Sequence, residues 1–166
     1  MRTFGLLLIV SSCALAQTNP LTQAVTTRYN SAKQNLLGAA EAMPEENYAY
    51  KLSPEQRPFG LWIEHTALGN YMFCAGIKGS AAPDMSKVHG LTSKAELQKA
   101  LKDSFDYCDG ALAAMDDKKA LTEAGRKYPV NGMVSLIASL NEHYGNLVGY
   151  LRTKGITPPS TARAKK

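Results

Sequence analysis

Residues 131–155, NGMVSLIASLNEHYGNLVGYLRTKG, carry the clearest helical pattern in the chain. Apolar side chains and one histidine recur every three or four positions, which places them on one face of an α-helix. Gly155 is placed to end this helix, and Pro158 and Pro159 follow it. The stretch predicts one long amphipathic helix that packs against other helices. Its predicted face consists of Met133, Leu136, Leu140, His143, Leu147 and Tyr150.

Two stretches nearer the N-terminus have the same spacing. The first covers about residues 21–43 and stops at Pro44, because proline cannot continue the helical hydrogen-bond ladder. The second begins after Pro58 and ends near Gly76 or Gly79. Its spacing of four, three and four residues predicts one bundle-facing side. That predicted face consists of Leu61, His65, Leu68 and Met72.

A capping box opens the remaining predicted helix, since Ser93 is followed three residues later by Glu96. Four helices without a convincing alternating strand predict an all-α four-helix bundle. The connections are long enough for crossovers, so the simple up-down-up-down order is not required. The predicted face of this third helix consists of Leu97, Leu101, Phe105, Cys108, Leu112 and Met115.

The composition is that of one folded domain without nucleic-acid-binding character. The chain has 166 residues, with 45% hydrophobic and 20% charged side chains, as in an ordinary globular domain. Its formal charge of +5 includes four basic residues in the terminal segments, and the body without them carries about +1. The body has no basic stripe with interleaved aromatic residues. We expect one domain over residues 17–160, a basic disordered tail over residues 161–166, and no nucleic-acid partner.

Residues 1–16, MRTFGLLLIVSSCALA, have the pattern of a signal peptide. One arginine precedes an apolar run that is too short to cross a bilayer, and small residues stand at the two positions that signal peptidase reads. Cleavage after Ala16 predicts an exported protein, periplasmic or secreted, with no membrane span. A second interpretation stays open, because residues 10–13, VSSC, resemble a lipobox in which Cys13 is lipidated.

Apart from Cys13, the chain has two cysteines, Cys74 and Cys108. In an oxidising compartment such a pair favours a disulfide, and the sequence has no Cys-x-x-Cys or Cys–His zinc spacing. Cys108 lies on the predicted face of the third helix, whereas Cys74 lies ~200° around the second helix from Met72. The bond therefore requires the second helix to end or rotate near Cys74, and two free thiols remain the alternative.

Two histidines lie at or beside predicted helix faces. His65 is on the face of the second helix, and His143 lies ~60° from the middle of the apolar arc of the last helix, with Ser139 one turn earlier. Bundle interiors are where such folds build metal sites from neighbouring helices. Packed, hydrogen-bonded histidines explain the same pattern, so both interpretations stay open. His89 is interpreted as a solvated loop residue.

Two stretches resemble the DinB-like family of the DinB/YfiT-like superfamily of metalloenzymes, especially its exported bacterial members. They are residues 41–67, EAMPEENYAYKLSPEQRPFGLWIEHTA, and residues 141–160, NEHYGNLVGYLRTKGITPPS. The resemblance implies a four-helix bundle with a long crossover connection, which agrees with the helical pattern. It also implies a divalent metal, zinc or nickel, held by one histidine of the second helix and two of the last helix, spaced four residues apart.

By this resemblance His65 and His143 are metal ligands, and residue 139 is the position of the third histidine. This chain has Ser139 there. A neutral serine hydroxyl is a far poorer ligand for zinc or nickel than an imidazole, so the expected metal site is weakened. Glu142 does not replace the missing ligand, since it lies ~100° around the helix from His143.

The resemblance leaves two functions open. In the first, the protein is a divalent-metal-dependent enzyme of hydrolase or transferase type with an incomplete histidine triad. In the second, it is a non-catalytic protein that binds a small molecule or serves as a scaffold on a degenerate bundle. The sequence identifies neither the substrate nor a catalytic residue, since it has no Ser-His-Asp order and no phosphate-binding glycine loop. Family members often dimerise, so the resemblance also allows a homodimer.

Overall fold

The computed structural model describes residues 18–123 and 128–164. Within these ranges the chain forms six α-helices and a short 3₁₀ turn, with no β-strand. None of these helices has the length and apolar composition needed to cross a membrane. The predicted signal peptide, its cleavage site and Cys13 lie outside the described residues. The helices are α1 (Pro20–Ala42), α2 (Phe59–Lys78), α3 (Lys94–Ala113), α4 (Asp117–Ala120), α5 (Pro129–Thr153) and α6 (Pro159–Ala164).

Helices α2 and α3 are parallel neighbours. Asn70 of α2 donates a hydrogen bond to Ser104 of α3, and Cys74 of α2 bonds to Cys108 of α3, both with an offset of 34 residues. The end of α2 and the start of α3 therefore lie at opposite ends of the bundle. The connection over residues 79–93 runs back along the length of the bundle to join them. This connection is the long crossover that the sequence predicts.

Helices α1 and α5 run in the direction opposite to α2 and α3. Early residues of α1 contact late residues of α3, and late residues of α1 contact early ones, so these two helices are antiparallel; the same holds for α2 and α5. The prediction of an all-α four-helix bundle with a long crossover is confirmed. The contacts are Tyr29–Asp109 and Ala40–Gln98 for α1 and α3, and Trp62–Tyr150 and Ile77–Gly132 for α2 and α5.

Local signals fix the ends of the long helices. The Ser93 hydroxyl donates to a Glu96 carboxylate oxygen at 2.5 Å and accepts from the Glu96 backbone N–H at 3.3 Å, which confirms the predicted capping box. Gly155 follows α5 with φ of 71°, and Gly79 follows α2 with φ of 67°. Both values lie in the left-handed region, where glycine has no steric cost, so each glycine ends its helix.

The core is built from the predicted faces of α3 and α5. All six predicted positions of α5 are buried, and so are the five predicted positions of α3 that lie within the helix. Met115 lies past the end of α3 and is only partly buried. At the centre, Tyr29 of α1 packs edge-to-face against Phe105 of α3, with 6.0 Å between ring centroids. Such aromatic pairs combine large apolar burial with a favourable ring geometry.

The predicted face of α2 is wrong. Leu61 is 41% exposed and Met72 is 62% exposed, although both were expected to face the bundle. Helix α2 lies between α3 and α5, so its buried surface is broad and centred on another side. Polar Asn70 and Cys74 interrupt that side in the sequence and hide its spacing. The buried residues there are Phe59, Ile63, Ala67, Asn70, Cys74 and Ile77.

This rotation of α2 places Cys74 in the core beside Cys108, and both residues are fully buried. The two form a disulfide with a Cα–Cα distance of 5.2 Å, within the ordinary range for such bonds. The expectation of a disulfide is met, and of the two stated conditions, an end or a rotation of the second helix, the rotation is the one that holds. Helix α2 continues to Lys78 without a break at Cys74, because the cysteine already faces α3.

The end of the chain also differs from expectation, since disorder was expected over residues 161–166. Residues up to Ala164 belong to α6, and residues 165–166 lie outside the described part. Tyr144 of α5 donates to the Ser160 hydroxyl at 2.8 Å, and Arg163 donates to the side-chain oxygen of Asn35 in α1. These contacts hold the short helix against the bundle, and the basic composition gave no sign of them.

Candidate functional site

The antiparallel packing of α2 and α5 brings His65 and His143 together. Their ring centroids are 5.0 Å apart. His143 is 6% exposed, whereas His65 is partly buried. The two histidines that the sequence singles out therefore form one interhelical pair. Whether they bind a metal remains a prediction.

Thr66 fixes the orientation of the His143 ring. The Thr66 hydroxyl donates its proton to the Trp62 carbonyl oxygen at 2.7 Å and lies 3.2 Å from Nδ1 of His143. Because that hydroxyl proton is already used, Thr66 accepts from Nδ1–H, and the neutral ring carries its proton on Nδ1. The lone pair is then on Nε2, which lies 3.4 Å from the Ser139 hydroxyl oxygen.

Trp62 forms one wall of the histidine pair. Its ring centroid lies 5.5 Å from that of His143 and 6.2 Å from that of His65. The indole N–H donates to the Tyr150 hydroxyl at 3.3 Å, and this hydroxyl donates to the backbone carbonyl of Arg57. The Arg57 guanidinium carbon lies 4.9 Å from the Trp62 ring centroid. Arg57 therefore places a positive charge near the site.

Both histidines are electrostatically disfavoured as cations. Burial, together with the neighbouring His65 and the Arg57 charge, lowers the pKa of His143 to about 4. Burial and then Arg57 also lower the pKa of His65, while the Glu142 and Glu64 carboxylates act in the opposite direction. At neutral pH the pair is uncharged.

The third ligand position is not filled by a strong metal ligand. Ser139 occupies it, one turn before His143. His89, interpreted as a solvated loop residue, has a side chain that is 63% exposed and lies 3.6 Å from Glu64. Across the described ranges 18–123 and 128–164, no group of three His, Cys, Asp or Glu residues could hold a metal ion. Among the described residues, the site therefore offers two imidazoles as candidate ligands, with the Ser139 hydroxyl beside them.

Sequence reasoning missed Thr66 and Arg57. Thr66 follows His65 directly, but its partner His143 is 77 residues away, so no local pattern marks the contact. Arg57 lies just before Pro58 in the connection between α1 and α2, and an arginine in a connection is usually interpreted as a solvent-exposed charge. A signal was present in Trp62, since the indole N–H of a buried tryptophan usually finds a hydrogen-bond partner.

Comparison with known proteins gives a family. A model of the DinB superfamily matches residues 28–143, which is more than half of the chain and includes both histidines. The structure is similar to the crystal structure of a DinB-like protein from Bacillus cereus ATCC 10987, with a TM-score of 0.68 and 15% sequence identity. The match covers 82% of this chain and 95% of that one, and at this identity it establishes the fold alone. No curated protein matches the chain.

Proposed function

The chain belongs to the DinB superfamily, and from this premise we propose that it is a divalent-metal-dependent protein of hydrolase or transferase type, with its site on His65 and His143. The arrangement of His143 carries this proposal. Thr66 accepts its Nδ1–H, which leaves Nε2 able to bind an ion. Metal-binding histidines commonly have one ring nitrogen fixed by a protein oxygen in this way.

The residues fit a divalent ion only in part. His65 and His143 would hold it, and Ser139 would offer a weak oxygen ligand. Zinc or nickel bound there would supply Lewis-acid chemistry to a substrate. The chain's own contribution is positional, because Thr66 orients one imidazole and Trp62 excludes water from one side of the pair. We expect the affinity for metal to be lower than that of a three-histidine site.

Arg57 favours a second candidate function, that of a non-catalytic small-molecule-binding protein. Its guanidinium lies over Trp62 and lowers the pKa of both histidines, so its charge also opposes a bound metal cation. In that case the two neutral imidazoles and Ser139 would form a polar recess whose hydrogen-bonding groups serve binding alone.

We also propose that the protein works outside the cytoplasm. Residues 1–16 have the composition of a signal peptide, and Cys74 and Cys108 form a buried disulfide. Disulfides persist in oxidising compartments and are rare where glutathione keeps thiols reduced. Mass spectrometry of the mature protein from the native host would give the cleavage site. A lipid mass on Cys13 would mean that the protein is an anchored lipoprotein and not a simply secreted one.

Elemental mass spectrometry of the purified protein tests the metal proposal. The wild type is compared with His143→Ala and with His89→Ala, which removes an exposed histidine outside the pair. Near-stoichiometric zinc or nickel that is lost in His143→Ala and kept in His89→Ala would support the proposal. Circular dichroism establishes that each variant is folded.

The substitution Ser139→His separates the two candidate functions. It restores an imidazole one turn before His143, at the position that the family resemblance assigns to a ligand. Wild-type protein without metal, together with a metal-loaded Ser139→His variant, would overturn the enzyme proposal and favour the binding protein. Near-stoichiometric metal in both the wild type and Ser139→His would mean that two histidines suffice to bind the ion.

A further inference from the structure

A second recess lies on another side of α2 and does not include the histidine pair. It has a volume of about 310 Å³ and lies between the connection before α2, the start of α2, the end of the crossover and α3. This volume is at the lower end of the range for small-molecule sites. Most of its wall is apolar, and the residues that define it are Tyr48, Ala49, Leu61, Leu91, Leu97 and Glu64.

Glu64 is the one charged side chain among the described residues of this lining. Its side chain is only 8% exposed. Oε1 accepts from the Gly90 backbone N–H at 3.2 Å and lies 3.6 Å from Nδ1 of His89. Oε2 accepts no hydrogen bond from the residues that the structure describes, and it keeps some solvent-accessible surface, since no fully buried side-chain oxygen among those residues lacks a partner. The recess is therefore lined by a mostly buried carboxylate whose second oxygen is accessible.

Anchoring of the crossover does not account for this carboxylate. The Gly90 N–H needs one acceptor, and the neutral amide of a glutamine would provide it. A buried charge carries a desolvation cost unless a cation pairs with it. His89 offsets that charge only weakly, because its side chain is 63% exposed and is charged only when protonated.

Nearby cations and hydroxyls are engaged elsewhere. Lys94 donates to the backbone carbonyls of Glu41 and Met43, both at 2.8 Å. The Tyr48 hydroxyl donates to the Ala40 carbonyl at 2.6 Å, so Tyr48 offers the recess its aromatic ring. The Lys94 ammonium already lies 6.0 Å from the centroid of this ring, so Tyr48 serves the recess as an apolar wall.

From this geometry we infer that the recess binds a small organic ammonium ion with a compact apolar body. The ammonium group pairs with the free oxygen of Glu64, and the apolar body lies against Tyr48, Leu61 and Leu97. Neutral and anionic molecules of the same shape lack the charge pairing and bind more weakly. This inference goes beyond the metal proposal and does not depend on it.

Isothermal titration of the full chain at pH 7 and fixed ionic strength tests the inference. The probes are cyclohexylammonium, cyclohexanol and cyclohexanecarboxylate, which share one apolar body and differ in charge. We expect cyclohexylammonium to bind at least tenfold more tightly than the other two. Equal affinity for the alcohol would mean a purely apolar recess and would overturn the inference, as would the absence of ammonium binding at millimolar concentration.

Matched variants assign the binding to Glu64. Glu64→Gln keeps an acceptor for the Gly90 N–H and removes the charge, so we expect at least a tenfold loss of ammonium affinity with the fold intact. Glu142→Gln removes an exposed carboxylate on α5 and should bind as the wild type does. Unchanged binding in Glu64→Gln would overturn the inference. His143→Ala should leave ammonium binding unchanged, so failure of the metal proposal remains distinguishable from failure of this one.

Discussion

Breaking the Cys74–Cys108 disulfide should lower the free energy of unfolding by about 3.8 kcal/mol. The bond closes a loop with a sequence separation of 34 residues, and the chain-entropy relation for a loop of that length gives this value at 25 °C. Domains of this size are usually stable by ~5–15 kcal/mol, so the loss would be a large fraction of the total. Reduction is the cleaner perturbation, because replacing two buried cysteines by alanine also creates a cavity.

The measurement is urea unfolding followed by far-ultraviolet circular dichroism. The protein is unfolded with or without reductant and refolded under the same condition, because the buried bond is reached only in the unfolded chain. The slope m should rise in the reduced protein, since its unfolded state is less constrained and exposes more surface. The Cys74→Ala/Cys108→Ala double variant provides the control, since reductant should not change its unfolding.

Two results would refute the reasoning about the disulfide. One is an equal free energy of unfolding for the oxidised and reduced proteins, which would mean that the loop constraint is absent or is offset in the native state. The other is thiol titration of the unreduced, denatured mature protein that finds both Cys74 and Cys108 free.

Three further predictions concern the core, the pH response and a helix end. In the presence of a chelator, the free energy of unfolding of the wild type should fall by about 3 kcal/mol between pH 6.5 and pH 4. Over this range the unfolded chain takes up a proton at His143, whereas the buried ring in the folded state does not. Urea unfolding at several pH values measures the change, and His143→Gln should make the free energy of unfolding less dependent on pH. Ile63→Ala should cost about 2–5 kcal/mol, whereas Met72→Ala should change the free energy of unfolding by less than ~0.5 kcal/mol, since the former is fully buried and the latter is exposed. Gly155→Ala should cost about 1 kcal/mol because its φ is 71°, whereas Gly145→Ala, in open space on α5, should stabilise by a similar amount in thermal unfolding.

Each of these predictions has a contrary result. A wild-type stability that does not change between pH 6.5 and 4 would mean that His143 is protonated in the folded state. Similar losses for Ile63→Ala and Met72→Ala would mean that the orientation of α2 is different. Similar effects of the two glycine substitutions would mean that Gly155 does not end α5 in the left-handed conformation.

Helices α3 and α5 were predictable because each follows one regular apolar spacing from end to end. Helix α2 was not, because two overlapping faces satisfy the same spacing. The predicted face contained Met72, which is exposed, while the true face contains Asn70 and Cys74, whose polar or ambiguous character conceals it. The partners that bury this side, Ser104 and Cys108, belong to another helix.

The candidate site was predictable only in its histidines. Family resemblance marks His65, His143 and the substitution at Ser139. The orientation of the His143 ring depends on Thr66, and the surrounding charge depends on Arg57; both act across helices. Glu64 gave no signal, because a glutamate beside apolar residues in a helix reads as an ordinary polar position until its burial is known.

The sequence by itself determined the four long helices, the capping box of α3, the glycines that end α2 and α5, and the family, because these depend on spacing and on residues close together in the chain. The tertiary structure decided the rotation of α2, the parallel course of α2 and α3, the docking of α6 and the setting of the histidines. Each of these depends on contacts between residues that are far apart in sequence, such as Arg163 with Asn35 and Thr66 with His143. Helical periodicity tells which residues share a side, and the number and position of neighbouring helices decide which side is buried.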